Sequence, residues 1–391
     1  MILDDLDLTL IGHPFAPIGM GEQLRSHIAA CDAVGLHHRV LDVFRHSART
    51  DDAHVALLGV RERRDLPGGI RVFHVNGDEV DDVVAAADTR GRFDAGYNVV
   101  MPAWELPRYP AVWVDRLRKF DEVWAMSRFV ADSLAAAGIV SRVVGQSVEP
   151  EPGPLLPRRH FGIRESAFVL LHFLDLSSYA TRKNPDAALD LFAELRAAHP
   201  FVDLQLVLKV KNAAASAGGW RPPSLADDPQ VLTLTEPLDG LGVRSLIAAC
   251  DCFVSLHRAE GFGRGLGEAM ALGRLAMGTG WSGNLDFMTE ANSLLVDSRP
   301  VALTPGDYPH SDGQSWAEPD IAHAARLLAP ILLEPARGAA RAEHGRAEVL
   351  RSHGHRAVGL RVLDQLERIA ERMARPQRVP ARRKTRIAAA A

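Results

Sequence analysis

Short apolar runs alternate with amphipathic stretches along almost the whole chain. The run at residues 8–12 predicts a strand, followed by a glycine-bearing turn and a helix over 22–34. Further strands are predicted at 98–102, 122–125 and 142–145, with a helix over 128–138 closed by Gly138. Around 149–158 the pattern stops. Glu149-Pro150-Glu151-Pro152-Gly153-Pro154 suits neither a helix interior nor a central strand, so the interdomain linker is placed there. The alternation then resumes: a strand at 168–173, a helix over 185–198, strands at 204–209 and 231–235, a helix over 243–250 and a strand at 253–257. Strands alternating with helices predict parallel sheets covered on both faces. Two halves of similar size imply duplicated α/β architecture without an internal sequence repeat. A charged helix over 357–373 closes the pattern, and the segment after it carries Arg382, Arg383, Lys384 and Arg386.

The 391 residues suffice for two domains with full cores. A net charge of −4 argues against a dedicated nucleic-acid binder. Cys31, Cys250 and Cys252 form neither a disulfide framework nor a metal-ligand spacing, and read as buried thiols. No run reaches the ~18 apolar residues of a membrane-spanning helix. The opening Asp4-Asp5-Leu6-Asp7 is acidic where a secretory signal would be basic, so the expected location is cytoplasmic. The basic segment 375–391 reads as a solvated tail and leaves open a weak contact with anionic lipid at the inner membrane face.

The densest chemistry lies in Glu260-Gly261-Phe262-Gly263-Arg264-Gly265-Leu266-Gly267-Glu268, which follows an apolar strand. If both glutamates were helical they would stand about 80° apart around the axis. Glu260 is therefore expected in the loop and Glu268 in the second turn of the following helix. Gly261 and Gly263 let the backbone approach a ligand closely, and the helix start offers free N–H groups to oxygens. That layout suits a sugar nucleotide.

This stretch resembles the signature of retaining glycosyltransferases of the GT-B fold, in their large fourth sequence family. The resemblance implies two Rossmann-like doubly wound α/β domains facing a central cleft. It places Glu260 and the backbone of Gly261, Phe262 and Gly263 at the donor sugar, and Glu268 on the nucleotide ribose. Further elements match one branch of that family in order and spacing from about residue 10 to 320. They are Trp104-Glu105, Asp121-Glu122-Val123-Trp124-Ala125-Met126-Ser127, Arg182-Lys183-Asn184-Pro185, Gly280-Trp281-Ser282-Gly283-Asn284 and Trp316-Ala317-Glu318-Pro319-Asp320.

Transfer from a nucleotide sugar builds negative charge on the departing diphosphate, which a metal or fixed cations must stabilise. The acidic pairs Asp4-Asp5, Asp51-Asp52 and Asp81-Asp82 are adjacent rather than alternating, so metal independence and no cofactor beyond the nucleotide-sugar co-substrate are expected. Arg182 and Lys183 follow a strand, at the sheet edge where open α/β sheets bind ligands, and the family resemblance puts the Lys on the diphosphate. Ser177 stands where the family usually carries a second basic residue, and Lys209 or Lys211 could supply that charge. Gly19-Met20-Gly21 resembles the family's loop beneath the donor phosphates. Leu24 breaks the Gly-x-Gly-x-x-Gly pattern of dinucleotide folds, against an NAD-binding reading. Asn284 belongs to a loop whose backbone N–H groups could meet phosphate. Glu105 either faces the acceptor or caps a turn. His257 reads as a satisfied core histidine, and Trp104, Trp113 and Trp124 as core.

The expected organisation is an acceptor-side domain over 1–150, a nucleotide-sugar domain over 156–345, a helix over 346–374 crossing back onto the first domain, and the tail. The expected function is metal-independent, retaining transfer of a sugar to a glycan, lipid-linked or small-molecule hydroxyl, with polysaccharide biosynthesis as the usual setting of this branch. The alternative is a degenerate protein that binds a sugar nucleotide or glycan without transfer.

Overall fold

The computed structural model describes residues 7–44, 50–176, 178–212, 220 and 228–374. Its first half runs β1 (Leu8–Gly12), α1 (Gly19–Ala33), β2 (Arg39–Asp42), α2 (Asp52–Leu58), β3 (Ile70–Phe73), α3 (Val80–Asp88), β4 (Tyr97–Val100), α4 (Ala111–Leu117), β5 (Glu122–Ala125), α5 (Arg128–Ala136) and β6 (Ser141–Val143). These six strands form one parallel sheet in the order β2-β1-β3-β4-β5-β6.

Residues 144–157 cross to the second half without helix or strand. There follow β7 (Phe168–Asp175), α6 (Ala180–Lys183), α7 (Pro185–Ala198), β8 (Leu204–Lys211), β9 (Val231–Leu234), α8 (Gly240–Ala249), β10 (Cys252–Ser255), α9 (Arg264–Ala271), β11 (Leu275–Thr279) and β12 (Leu294–Val296). They form a second parallel six-stranded sheet, β12-β11-β10-β7-β8-β9. An antiparallel pair, β13 (Ser298–Ala302) and β14 (Ser315–Pro319), stands outside it, and α10 (Ile321–Leu333), α11 (Ala336–His353) and α12 (His355–Ala374) end the described chain.

Both sheets are flanked by helices, and their central strands are buried, as the near-continuous apolar runs of parallel strands require. In each sheet the strand order reverses once near the middle, between β1 and β3 and between β7 and β10. Loops leaving neighbouring strands part there and open a crevice at the carboxyl ends. α12 returns to the first half and packs on α1; a Cβ on Gly359 would lie 2.2 Å from the Ala30 carbonyl, so only glycine lets the helices cross this closely. Arg361 Nε donates to the Val144 carbonyl at 2.7 Å, and Arg368 pairs with Glu122. The three cysteines are buried and unpaired, and no helix among the described residues is long and apolar enough to cross a membrane.

The pattern-based elements differ from the structure mainly at their ends. The first helix begins at Gly19 rather than 22, so Gly19 and Gly21 lie in its first turn and not in a loop before it. α8 begins at Gly240, where the Asp239 carboxylate caps it by accepting from Gly242 N at 2.7 Å. β8 continues to Lys211 because its whole length pairs with β7, from Phe168↔Leu204 to Asp175↔Lys211. β2 and β3 escape the pattern, β3 for a physical reason. It carries the fully buried Arg71, whose guanidinium donates to the Phe93 carbonyl at 2.8 Å and to Pro67. A satisfied buried arginine breaks the apolar run without breaking the strand.

Candidate active site

The second sheet's reversal point sets the stage. The loop after β7 leads into the single turn of α6, and the loop after β10 leads into α9, so residues 178–183 and 256–263 meet at this point, as the bonds from Arg182 and Lys183 to residues 259 and 260 show. Asn184 takes a left-handed conformation (φ 54°) that ends α6 and lets Pro185 open α7. Lys183 Nζ thereby reaches Glu260 Oε1 at 2.5 Å.

Glu260 is 8% exposed, and its surroundings are fully committed. Its N–H donates to Ser282 Oγ at 3.0 Å, and its carbonyl accepts from Gly283 N at 3.1 Å. Burial alone would push its carboxyl up; Lys183 and Arg182 overcome that and hold it at about 2. It is therefore an anion at any ordinary pH. Gly283 is forced by the fit, since a Cβ there would lie 2.0 Å from the Gly261 carbonyl. The neighbouring Ser282 sits at φ 78°, a strained setting for a side chain that supports Glu260.

Arg182 is placed differently from Lys183. It is 3% exposed, and its guanidinium donates to the Ala259 carbonyl at 2.9 Å and Ser178 Oγ at 2.8 Å, with Glu260 Oε2 at 3.2 Å and Glu105 Oε1 at 3.7 Å. Arg182 clamps carboxylates from beneath, while Lys183 is the cation at the crevice. Lys209 is also turned away. Its amino group donates to the Glu236 carbonyl at 2.7 Å, and burial lowers its pKa. Lys211, two residues on, reaches the Pro17 carbonyl just before α1.

Gly261, Phe262 and Gly263 form the turn into α9, with Gly263 at φ +88° as its left-handed N-cap. The Phe262 ring is buried against Phe287 and His353, with centroids 5.1 and 5.5 Å away, so its side chain is committed to the core. The first half touches the turn directly, Ser127 Oγ donating to the Gly261 carbonyl at 2.5 Å. Asn284 does not enter the crevice. Its fully buried side chain donates to the Thr279 carbonyl at 3.0 Å. His257 is buried, with Nδ1 3.0 Å from the Ser255 carbonyl and Nε2 3.2 Å from the Trp281 carbonyl, and burial lowers its pKa. Ser177 lies outside the described residues, as do residues 375–391 with their basic cluster.

Glu268 sits in the second turn of α9 and pairs with Arg264 Nε at 2.8 Å, while burial raises its pKa. Arg264 also reaches toward Glu22 of α1 at 4.0 Å, and Glu22 binds Arg25 at 2.6 Å. Gly19 has open space around it in the same first turn of α1. Gly21 instead is pressed against backbone, where a Cβ would lie 2.2 Å from the Ala16 carbonyl. Glu105 arrives from the first half, where its carboxylate accepts the Tyr308 hydroxyl at 2.7 Å and faces Arg182. Tyr308 and Arg264 are given no role by the sequence pattern, whereas Ser127 closes the Asp121–Ser127 element that matches the family branch. Arg264 is legible in the glutamate motif itself, but Tyr308 carries no local signal. Among the described residues no group of three or more His, Cys, Asp or Glu is arranged to hold a metal ion.

No protein-family model and no curated protein matches the chain. Solved structures do. The Anabaena protein HepE in complex with UDP and glucose superposes with a TM-score of 0.63 at 15% identity, covering 93% of this chain and 100% of its own. A glycosyltransferase from Rickettsia africae ESF-5 gives 0.66 at 13% identity over 93% and 99%. Sucrose-phosphate synthase from Thermosynechococcus elongatus gives 0.60 at 14% identity over 94% and 100%. Two parallel six-stranded Rossmann-like units, each open at its reversal point and matched end to end by these structures, establish the fold of this chain as GT-B.

Proposed function

We propose that this chain is a glycosyltransferase that moves a sugar from a nucleotide-sugar donor to a hydroxyl acceptor. The observation that carries the reading is the Lys183–Glu260 pair at the second sheet's reversal point, with the Gly261–Phe262–Gly263 turn and the N-terminus of α9 beside it. Solved structures of the same fold include HepE with UDP-glucose, which supports a sugar nucleotide as the ligand.

In this reading Lys183 neutralises the diphosphate, and the N-terminus of α9 adds partial positive charge. Glu268 binds the ribose, exchanging its Arg264 partner for hydroxyls. Glu260, held ionised, orients the donor sugar together with the turn backbone. The acceptor enters from the first-half side, near Glu105. The reaction proceeds with retention: the bond from C1 to the diphosphate oxygen breaks, the acceptor oxygen bonds C1 on the same face, and its proton passes to the leaving phosphate. No divalent metal takes part, because Lys183 and backbone donors supply the charge. Acceptors of polymer or lipid-linked type fit the family branch, and the protein would work in the cytoplasm, with the basic tail touching the inner membrane face.

A thermal-shift and calorimetry panel of UDP-, GDP- and dTDP-sugars, run in EDTA and again in Mg²⁺, tests this. Saturable binding of one nucleotide in EDTA, lost in Lys183→Ala and Glu268→Ala, is the expected result. No binding anywhere in the panel would overturn the reading. Binding without release of nucleoside diphosphate would instead identify a protein that holds sugar nucleotides without transferring them.

A further inference from the structure

The loop 303–314, between β13 and β14, leaves the second half and docks on the segment 104–109 of the first. Gln314 makes the joint, its Oε1 accepting from Arg108 N at 3.0 Å and its Nε2 donating to the Arg108 carbonyl at 2.6 Å. Thr181 Oγ1, one residue before Arg182, donates to the Asp307 carbonyl at 3.2 Å. Tyr308 lies between these anchors, its ring 5.8 Å from Trp104 and 4.9 Å from Tyr179.

What Tyr308 holds is a carboxylate that has a second task. Its hydroxyl donates to Glu105 Oε2 at 2.7 Å, and the other oxygen, Oε1, faces Arg182 Nη2 at 3.7 Å. The opposite arm of the same guanidinium, Nη1, meets Glu260 Oε2 at 3.2 Å. A guanidinium is a rigid planar fork, so what fixes one arm fixes the other. The Glu105–Arg182 approach is too long to orient the Glu105 carboxylate unaided. The tyrosine hydroxyl is the short bond in the chain.

We infer that Tyr308 is a positioning residue for the transfer step: by fixing Glu105 against Arg182, it completes the anchoring of a guanidinium that Ser178 Oγ and the Ala259 carbonyl also hold, and so helps to set the orientation of Glu260. The inference rests on the glycosyltransferase reading, and it gives the loop 303–314 a function. The Glu105 carboxylate belongs to the first half and the rest of the chain to the second, so the full alignment exists only while the halves are together. None of the proposed nucleotide contacts, Lys183 and Glu268, touches Tyr308. Losing its hydroxyl should therefore slow chemistry and leave donor binding alone.

The test uses the full chain and whichever sugar nucleotide of the UDP, GDP and dTDP panel it binds. Donor hydrolysis, read as release of nucleoside diphosphate, needs no acceptor. Tyr308→Phe keeps the ring and its packing. It is expected to cut the rate about tenfold or more, with the calorimetric Kd within twofold of wild type and the thermal midpoint nearly unchanged. Glu105→Gln should do the same, and the double variant should be no slower than the slower single, since both act through one contact. A wild-type rate in Tyr308→Phe, additive losses in the double variant, or a weakened Kd with an unchanged rate would each overturn the inference. Wild-type protein that binds a donor without releasing nucleoside diphosphate also overturns it, while donor binding stands. Wild-type protein that binds no sugar nucleotide fails the underlying reading and takes this one with it.

Discussion

Two charge clusters straddle the cleft, and they have the same composition. One joins Arg182 and Lys183 to Glu260 and Glu105; the other joins Arg264 and Arg25 to Glu268 and Glu22. Each contains two cations and two carboxylates, and in each one carboxylate comes from the first half of the molecule. They differ in burial. Arg182 and Glu260 are nearly inaccessible, whereas the Glu22 and Arg264 side chains are 40% and 30% exposed; Lys183 and Glu268 are intermediate alike, so the contrast rests on the central pair of each cluster. Buried ions have no water to fall back on, so their geometry is fixed by their partners. Exposed ions exchange partners with solvent at little cost. The same charges thus make a rigid frame in one place and a reversible contact in the other, which suits a fixed reacting centre beside a ribose pocket that must open for its ligand.

The sharpest way to break this comparison is to unpair the buried cluster. Glu260→Gln keeps the shape and removes the charge, leaving the buried Arg182 against one distant carboxylate and Lys183 at the crevice without its partner. Stability should fall by about 3 kcal/mol, as for other broken buried pairs, and nucleoside diphosphate release should fall by roughly 100-fold. Denaturant unfolding and a turnover assay read the two separately. The pH dependence has a defined sign. Glu260 is held at about 2 in the folded protein against an ordinary value of 4.5, so its contribution is complete above about pH 4.5 and is lost as pH falls toward 2. The stability gap between wild type and Glu260→Gln should stay flat from pH 8 to pH 5 and close below. Glu268 has the opposite sign. Its raised pKa means that its ionised form costs stability, and mild acid relieves that cost. A gap that closes already near pH 6 would contradict the assignment.

Next in size is the support beneath the frame. Gly283→Ala would drive a Cβ onto the Gly261 carbonyl, 2.0 Å away, and both atoms belong to backbone that carries Glu260. Overpacking of this kind costs about 2 kcal/mol, and the displaced turn should lower turnover as well. Full activity in a stable Gly283→Ala protein would mean that the turn is not part of the frame.

Much of this frame is legible in the sequence, and unevenly so. β7, β8 and α7 are read closely because long apolar runs and a Pro-initiated amphipathic helix leave few alternatives. The spacing of Glu260 and Glu268 around the glycines assigns one to a loop and the other to a helix, and the structure has them so. Arg182 and Lys183 do follow β7, yet adjacency cannot show that one turns inward and the other outward. Lys209 likewise looks equivalent to Lys211 on the strand, and only the neighbouring carbonyls of Leu234 and Glu236 tell them apart. Glu105 and Tyr308 meet across 203 positions, a contact with no local periodicity to announce it. β3 is missed because the buried Arg71 interrupts its apolar run.

The smallest expected effect sharpens the comparison from the exposed side. Arg264→Ala removes the partner of Glu268 and the reach toward Glu22, yet it should cost no more than about 1 kcal/mol in low salt. In 1 M NaCl, where screening acts within about 3 Å, the difference from wild type should nearly vanish. The difference caused by Glu260→Gln should largely persist in the same salt, because the Arg182–Glu260 pair is nearly inaccessible to water and ions. Donor binding should respond in the opposite direction to stability. With Arg264 gone, Glu268 is free to accept ribose hydroxyls, so the Kd should hold or improve slightly if the ion pair is a placeholder for the nucleotide. A salt-insensitive loss of several kcal/mol in Arg264→Ala would show that this cluster, too, is a buried frame, and the contrast between the two would be lost.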